Sequence, residues 1–300
     1  MRPALLLLTD SRLPAGGHAH SGGAERAVAS GAVHDVPSLA HFLRGRLRTA
    51  GTVAAALTAA SCAHASIGTA SPGAASPGTV PSGTACPGAV SSGTTSSGST
   101  FPGAAPTGAV SWEALDAEMD ARTASPAQRE ASRTQGRLLL RVARRIWPSP
   151  VLDELARAIP SPHHPLALGA AAHAAGATPE EAALAAAYHA VTGPATAAVR
   201  LLGLDPVAVH AVLAGLDSDL TAVATQACLP SDLAAADAGP ATGRTTDATR
   251  ADPASGAGHS TAADPFAALA ALEALPACSA PALDLLAEQH ARAEVRLFIS

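Results

Sequence analysis

Two histidines in a glycine-rich N-terminal loop are the residues whose spacing first suggests chemistry. His18 and His20 lie within Pro14–Gly23, and imidazole is a good ligand for borderline divalent cations when a flexible loop lets two rings face one ion. Two ligands do not complete a site, because His34 and His41 would have to converge with them and no cysteine or carboxylate stands at metal-ligand spacing. We therefore predict no metal site and expect His20 to hydrogen bond within the loop. A small metal-dependent hydrolase built on this loop is the alternative.

The glycines and serines of the loop offer two further kinds of chemistry. Exposed backbone amides of Gly16 and Gly17 could cradle a phosphate, but the Lys-Ser/Thr pair of a P-loop does not follow and no strand precedes them. Ser11 and Ser21 have histidines nearby, yet nearness in sequence does not create the geometry of a nucleophile and its base. The simpler interpretation is that the glycines permit a sharp reversal of the chain. We predict no catalytic residue, no enzymatic activity and no cofactor.

A row of arginines suggests binding rather than catalysis. Arginine recurs every fourth residue in one predicted helix, at Arg129, Arg133, Arg137, Arg141 and Arg145, which places the side chains in a slowly rotating stripe. The stripe is either a solvated face or a docking surface for an acidic partner. Binding of DNA or RNA is an alternative with less support, because aromatic residues for base stacking are not nearby. The formal net charge of −5 also gives the chain no general attraction to nucleic acid or to an anionic membrane.

These side chains must be positioned by helices, as the composition indicates. Hydrophobic residues make up 48% of the 300 residues, but aromatic residues only 2%, and an apolar content made mostly of Ala and Leu favours closely packed helices over sheets. No stretch alternates with a period of two for long enough to predict a strand. We predict an all-α fold with one helical-bundle-like domain of about ten helices.

Two low-complexity segments interrupt the predicted domain. Residues 66–110 consist almost entirely of Ser, Gly, Thr, Pro and Ala, and residues 230–263 have the same character. Neither segment has enough apolar surface to offset its chain entropy, so we expect both to be disordered. The domain is then assembled from residues 1–65, 111–229 and 264–300.

Capping residues predict several helix boundaries. Ser38 is expected to cap one helix, and Ser125, which a proline follows, is expected to begin the arginine-bearing helix. Thr178 precedes a Pro-Glu-Glu helix start that has the pattern of a capping box. Gly193 and Pro194 are expected to kink or break that last helix.

The N-terminal sequence and the cysteines indicate in which cellular compartment the protein is located. Met1–Leu8 begins like a signal peptide, but the apolar run is short and Asp10 interrupts it. The sequence has no transmembrane run, and its four cysteines lack CxxC spacing, so neither a disulfide framework nor a thiolate metal site is expected. We predict a cytoplasmic protein with no membrane partner.

Three segments carry recognisable motifs in a fixed order along the chain. The first is TDSRLPAGGHAHSGGAE, in which Asp10, Ser11, Leu13, Pro14, Gly16, Gly17, His20, Ser21, Gly23 and Glu25 match a known N-terminal signature. The second combines His164, Pro165 and Gly169 with the Pro-Glu-Glu helix start and the run Ala197–Leu201. The third is the C-terminus from His290 onward, which ends in Arg-Leu-Phe-x-Ser. Together these motifs resemble the UreF family of urease accessory proteins.

The resemblance implies a helical, non-catalytic scaffold, often a homodimer, that binds the accessory protein UreD, also called UreH. The pair would recruit the GTPase UreG and deliver nickel to apo-urease. The motifs and the arginine stripe together give these expected partner-binding residues: Asp10, Ser11, Pro14, Gly16, Gly17, His20, Ser21, Glu25, Arg133, Arg137, Arg141, Arg200, His290, Arg296, Leu297 and Phe298.

The apolar end of the chain gives the most specific hypothesis. An isolated terminus has little reason to keep the cluster Arg296–Ile299. In one interpretation the cluster is an anchor, with Phe298 filling a hydrophobic pocket of a partner and Arg296 pairing with a carboxylate at its rim. In the other, the tail folds back and covers its own domain.

Overall fold

Helices make up the regular structure of the described residues, 3–69, 110–236 and 272–298 of the computed structural model. The α-helices are α1 Pro3–Thr9, α2 Ala24–Ala29, α3 Val36–Arg46, α4 Thr52–Thr69, α5 Trp112–Arg122, α6 Pro126–Ile146, α7 Pro150–Ala158, α8 His164–Ala174, α9 Pro179–Leu202, α10 Pro206–Ala214, α11 Asp217–Ala236 and α12 Pro281–Ala291. A 3-10 turn covers Gly17–Ala19 and a π turn covers Leu47–Gly51. No strand occurs within the described ranges, and the prediction of an all-α fold is confirmed.

The helix starts follow side-chain caps, as the sequence indicates for two of the three predicted sites. Ser125 Oγ accepts the amide three residues further along at 3.2 Å. Thr178 and Glu181 exchange the two hydrogen bonds of a capping box. The prediction that Ser38 is the cap of α3 is wrong in register: Asp35 is the N-cap, its carboxylate accepts the Ser38 amide at 2.8 Å, and Ser38 completes a capping box from inside the helix.

Helix α4 lies at the centre and packs against α8, α9 and α11. Every residue of α8 from Pro165 to Ala172 is buried. The crossing of α4 and α8 is close at Gly169, where a Cβ would lie 2.5 Å from the Thr58 carbonyl oxygen and 2.6 Å from Ser61 Cβ. Small residues thus let the two helices approach closely enough to form an Ala-rich core.

Helices α3 and α4 are joined without a loop through the π turn, in which Thr52 Oγ1 donates to the Leu47 carbonyl at 3.1 Å. The run Val36–Ile67 is long and apolar enough to cross a bilayer, but 61% of its most apolar window is buried inside the domain. An apolar run that is mostly buried against other helices is typical of a core helix.

Helix α9 is continuous through Gly193 and Pro194, so the break predicted there does not occur. Pro194 has no backbone N–H, and the carbonyl of Ala190, four residues earlier, therefore lacks its helical donor. The Arg46 Nε donates a hydrogen bond to that carbonyl at 2.9 Å. A side chain from α3 thereby replaces the hydrogen bond that proline removes.

The first few residues of both predicted low-complexity segments are helical rather than disordered. Helix α4 runs to Thr69 and α11 to Ala236, past the predicted starts at residues 66 and 230. The remainder of the two segments falls outside the described residues, and their disorder stays a prediction. The flanks of the first segment lie close together, since the rings of His64 and Trp112 meet edge to face with centroids 4.4 Å apart.

Candidate functional site

The N-terminal loop between α1 and α2 reverses direction through glycines with left-handed backbone. Gly16, Gly22 and Gly23 have φ of 78°, 58° and 88°, a region that other residues rarely adopt. Gly16 is also tightly packed, because a Cβ there would lie 2.9 Å from Leu138 Cδ1. Gly17 is exposed and has no atom within 4 Å of an added Cβ, so of the Gly16–Gly17 pair only the first is required for the turn.

The loop covers two adjoining cavities of about 490 and 600 Å3. Both cavities share a wall formed by Gly22, Arg46, Gln135, His164 and His189. The larger cavity brings together many of the residues expected to bind partners: Asp10, Ser11, Pro14, Gly17, His20, Arg200 and Phe298. The N-terminal motif, the end of α9 and the C-terminal tail thus meet at one place in the fold.

Three histidines lie close together here, His164 and His189 in the shared wall and His20 in the lining of the larger cavity. His20 is 5% exposed, and the rings of His164 and His189 have centroids 5.9 Å apart. Burial lowers the pKa of His164 to about 3, with the nearby His189 and His20 acting in the same direction. Burial also lowers the pKa of His189 to about 4, against the effect of its hydrogen bond with the Leu8 backbone. Both imidazoles are therefore neutral at pH 7 and can accept as well as donate hydrogen bonds.

The other histidines near the loop in sequence do not join this group. His34 Nδ1 and His41 Nδ1 bond to the local carbonyls of Gly31 and Pro37, at 3.1 and 3.0 Å, and both side chains are exposed. The partners of His20 come from α8 and α9 instead. Sequence reasoning missed His189, whose only signal is its position on the apolar face of a long Ala-rich helix.

The C-terminal tail is folded onto the N-terminal part of the chain. The Glu25 carboxylate accepts the backbone amide of Leu297 at 2.8 Å and that of Phe298 at 3.1 Å. His290 lies beside this contact: its Nδ1 is 3.6 Å from Glu25 Oε2 and its Nε2 is 3.2 Å from the Phe298 carbonyl oxygen. Phe298 lines the larger cavity of its own domain, while Leu297 stays 74% exposed.

The remaining residues of the predicted set have different surroundings. Ser21, within the loop, is fully buried. Arg200 is exposed at the edge of the larger cavity, and Arg296 lines the smaller one. The loop and tail residues therefore belong to one region, whereas the arginine stripe on α6 belongs to another.

The arginine stripe is divided by its ion pairs. Arg133 binds Asp116 and Asp120, with its terminal nitrogens 2.8 and 2.6 Å from their carboxylate oxygens. Asp120 also accepts from His163 Nε2 at 2.9 Å. Burial acts to raise the pKa of Asp120, but the hydrogen bonds with His163 and Arg133 outweigh it, and the pKa is lowered. Arg133 is thus engaged within the fold, contrary to the expectation of an open docking residue.

The ligand atoms of Asp116, Asp120 and His163 in the same cluster lie within 4.8 Å of one another, close enough to suggest a divalent cation site. The guanidinium of Arg133 already neutralises both carboxylates. A cation would have to displace it, so the cluster fits an ion-pair network joining α5, α6 and the start of α8.

The rest of the stripe surrounds an open groove between α6 and α7. Its arginines are Arg137, Arg141, Arg144 and Arg145, all of them exposed. Arg144 pairs with Asp153 of α7 at 2.7 Å. This groove is strongly cationic and lies on the face of α6 opposite Gln135 and Leu139, which line the cavities.

Comparison with known proteins gives a consistent result. The family model described as UreF matches residues 33–217, a range that begins after the N-terminal motif. The urease accessory protein UreF of Mycolicibacterium vanbaalenii is 42% identical over 208 residues, 69% of this chain and 77% of the relative. That of Mycobacterium sp. (strain JLS) is 42% identical over 232 residues, 76% of this chain and 87% of the relative. That of Mycobacterium tuberculosis (strain ATCC 25618 / H37Rv) is 36% identical over 208 residues, 69% of this chain and 76% of the relative.

Proposed function

Because the chain belongs to the UreF family of urease accessory proteins, we propose that it is a non-catalytic scaffold that joins UreD (UreH) and recruits the GTPase UreG. In this role it promotes nickel insertion into apo-urease. The proposal requires no cofactor of its own, and it places the protein in the cytoplasm as a homodimer, without a nucleic-acid or membrane partner.

The observation that carries the proposal is the joining of the loop and the tail through Glu25. Two motifs that lie at opposite ends of the sequence form one surface, held by hydrogen bonds at 2.8 and 3.1 Å. Val295 and Leu297 on this surface are 81% and 74% exposed. Exposed apolar residues beside a fixed polar contact are typical of the centre of a protein–protein interface, which supports this surface as the UreD contact.

The cationic groove provides a second contact. Arg137, Arg141 and Arg145 have no carboxylate partner within the described part of the chain, so their charge is available to an acidic protein. Its separation from the loop and tail would allow two partners to bind at once.

Nickel is cargo in this proposal, and contact with it would be transient. The imidazoles of His164 and His189 are neutral at pH 7 and have lone pairs that suit a borderline cation. Arg46 stands in the same wall and repels a resident divalent ion. The site therefore favours passage or brief contact over storage.

Co-purification tests the proposal most directly. The tagged full-length chain, co-expressed with UreD and UreG homologues from one genome, is expected to purify as a complex with both. A variant lacking Arg296–Ser300 should remain helical by circular dichroism and lose UreD. A folded chain that binds neither homologue would contradict the scaffold role.

The same preparation separates the alternatives. A small metal-dependent hydrolase requires stoichiometric metal and measurable hydrolysis. A nucleic-acid-binding module requires association with DNA or RNA that weakens steeply as salt rises. Light scattering on the purified chain measures whether it is a dimer.

A further inference from the structure

Arg46 is a partly buried cation whose charge is not matched by a carboxylate of the described residues. Its Nε is used by the carbonyl of Ala190, but no Asp or Glu of the described residues forms an ion pair with its guanidinium. Arg122 and Arg133, which are also partly buried, each have carboxylate partners. Burial lowers the pKa of Arg46 to about 10, so the side chain is still charged at neutral pH.

The unmatched charge faces open space rather than packed side chains. Arg46 lies in the wall that the cavities of about 490 and 600 Å3 share. Gly22 makes room for it, since a Cβ at that position would lie 3.1 Å from Arg46 Nη2. The terminal nitrogens of the guanidinium are therefore placed where a ligand in either cavity could reach them.

The surroundings of Arg46 supply neutral hydrogen-bonding groups. Gln135 and His164 share its wall. Thr58 Oγ1, in the lining of the smaller cavity, is fully buried with no hydrogen-bond partner in the described ranges. A buried hydroxyl without a partner is costly unless something binds it. It is a second and independent sign that the smaller cavity has an occupant.

The charged residues in the linings favour an anion over a cation. Each lining has one carboxylate, Glu130 in the smaller cavity and Asp10 in the larger. Asp10 is already paired with Arg12. Besides Arg46, Arg296 lines the smaller cavity and Arg200 the larger, so basic groups outnumber acidic ones in both.

We propose that Arg46 binds a small free oxyanion, of the carboxylate or phosphate class, in the wall between the two cavities. The planar fork of a guanidinium fits two oxygens of such an anion at once, and the anion provides the counter-charge that the fold does not. Thr58 and Gln135 add neutral hydrogen bonds on the side of the smaller cavity. Neither UreD nor UreG takes part, so the inference stands or falls independently of the scaffold role.

Titration of the purified full-length chain tests this site. Inorganic phosphate, sulfate and acetate are added separately at constant ionic strength against sodium chloride, and binding is followed by isothermal calorimetry and by the melting temperature. We expect saturable binding of at least one oxyanion, and at least about a tenfold loss of affinity in Arg46→Gln, as for a charge-assisted bidentate pair. Arg157→Gln, at an exposed position of α7 outside the cavities and the cationic groove, is the matched control and should bind as the parent does.

If Arg46→Gln does not fold, two further measurements still test the proposal. Thr58→Val keeps the shape of the side chain and removes only the hydroxyl, so it should fold normally and bind the oxyanion several-fold more weakly. The NMR signal of the Arg46 Nε–H group in the unmodified chain should shift in a saturable way with added anion. Binding that Arg46→Gln leaves unchanged, or an Nε–H signal that stays fixed for all three anions, overturns the proposal.

Discussion

The Glu25 carboxylate accepts the Leu297 amide at 2.8 Å, although 272 positions of sequence separate the two residues. The same carboxylate accepts the Phe298 amide, so one side chain near the start of the chain fixes two consecutive residues at its end. Glu25 and Leu297 belong to the two motifs at opposite ends of the sequence, and their contact gives those motifs a common structural purpose.

Replacing Glu25 with glutamine should release the tail. The amide has only one accepting oxygen and no charge, and we expect a loss of about 1–3 kcal/mol for the two hydrogen bonds. Hydrogen exchange at Leu297 and Phe298 should accelerate by the corresponding factor. Glu294→Gln, an exposed carboxylate in the same segment, is the control and should leave exchange unchanged. Equal protection in both variants would show that Glu25 does not hold the tail.

The arginine stripe should separate into a structural and a binding part. Arg137→Glu combined with Arg141→Glu is expected to change the free energy of unfolding by no more than about 0.5 kcal/mol, as exposed substitutions do. Association with an acidic partner should weaken in a salt-sensitive manner. Unchanged affinity for UreD, UreG and apo-urease would leave only the solvated-face interpretation.

Unlike the substitutions at Arg137 and Arg141, Arg133→Gln should lower the stability of the fold. It removes the partner of Asp116 and Asp120, and we expect a destabilisation of about 2 kcal/mol or more, measured by urea unfolding. A neutral effect would mean that His163 alone satisfies the two carboxylates.

Stability should fall as pH drops below about 6.5, the ordinary pKa of histidine. In the folded chain the pKa of His164 is about 3 and that of His189 about 4, so the unfolded chain binds more protons in the interval between. Stability is fully present above pH 6.5 and is lost toward pH 4, at up to about 1.4 kcal/mol per pH unit for each group. Urea unfolding at pH 7, 6 and 5 measures the slope. His189→Gln should reduce the slope, and a slope that this substitution leaves unchanged would contradict the role assigned to His189.

Gly169→Ala tests the close crossing of α4 and α8. Its Cβ would meet the Thr58 carbonyl oxygen at 2.5 Å, and backbone cannot move aside as a flexible side chain can, so we expect a loss of about 2–3 kcal/mol or more. Gly45→Ala in α3 is the matched control, since nothing lies within 4 Å of its added Cβ. That variant should gain up to about 1 kcal/mol from helix propensity. Thermal unfolding of the two variants should therefore shift in opposite directions.

Local signals predicted the helices better than the site. Ser125 and Thr178 cap helices where the sequence indicates, because a cap depends on residues three positions away. The break predicted at Pro194 does not occur, because Arg46, on another helix, donates the hydrogen bond that the Ala190 carbonyl would otherwise lack. No local pattern contains that contact.

Some of the site was nevertheless readable from the sequence. Arg46 follows Leu43 by three residues and Leu39 by seven, so it lies on the face of α3 that carries these buried leucines, while the exposed Arg44 does not. An arginine in such a position indicates a buried polar contact. The meeting of Glu25 with Leu297 carried no comparable signal, since it depends on how the whole domain closes.

The Glu25 contact also orders events during synthesis. The amides that Glu25 binds are synthesised only 272 and 273 positions after Glu25 itself. A chain still attached to the ribosome, or one that terminates early, can fold its central helices and still lack the combined surface. Only a chain synthesised past Phe298 presents loop and tail together, so partner recognition by this surface would exclude shorter chains without any separate checking step.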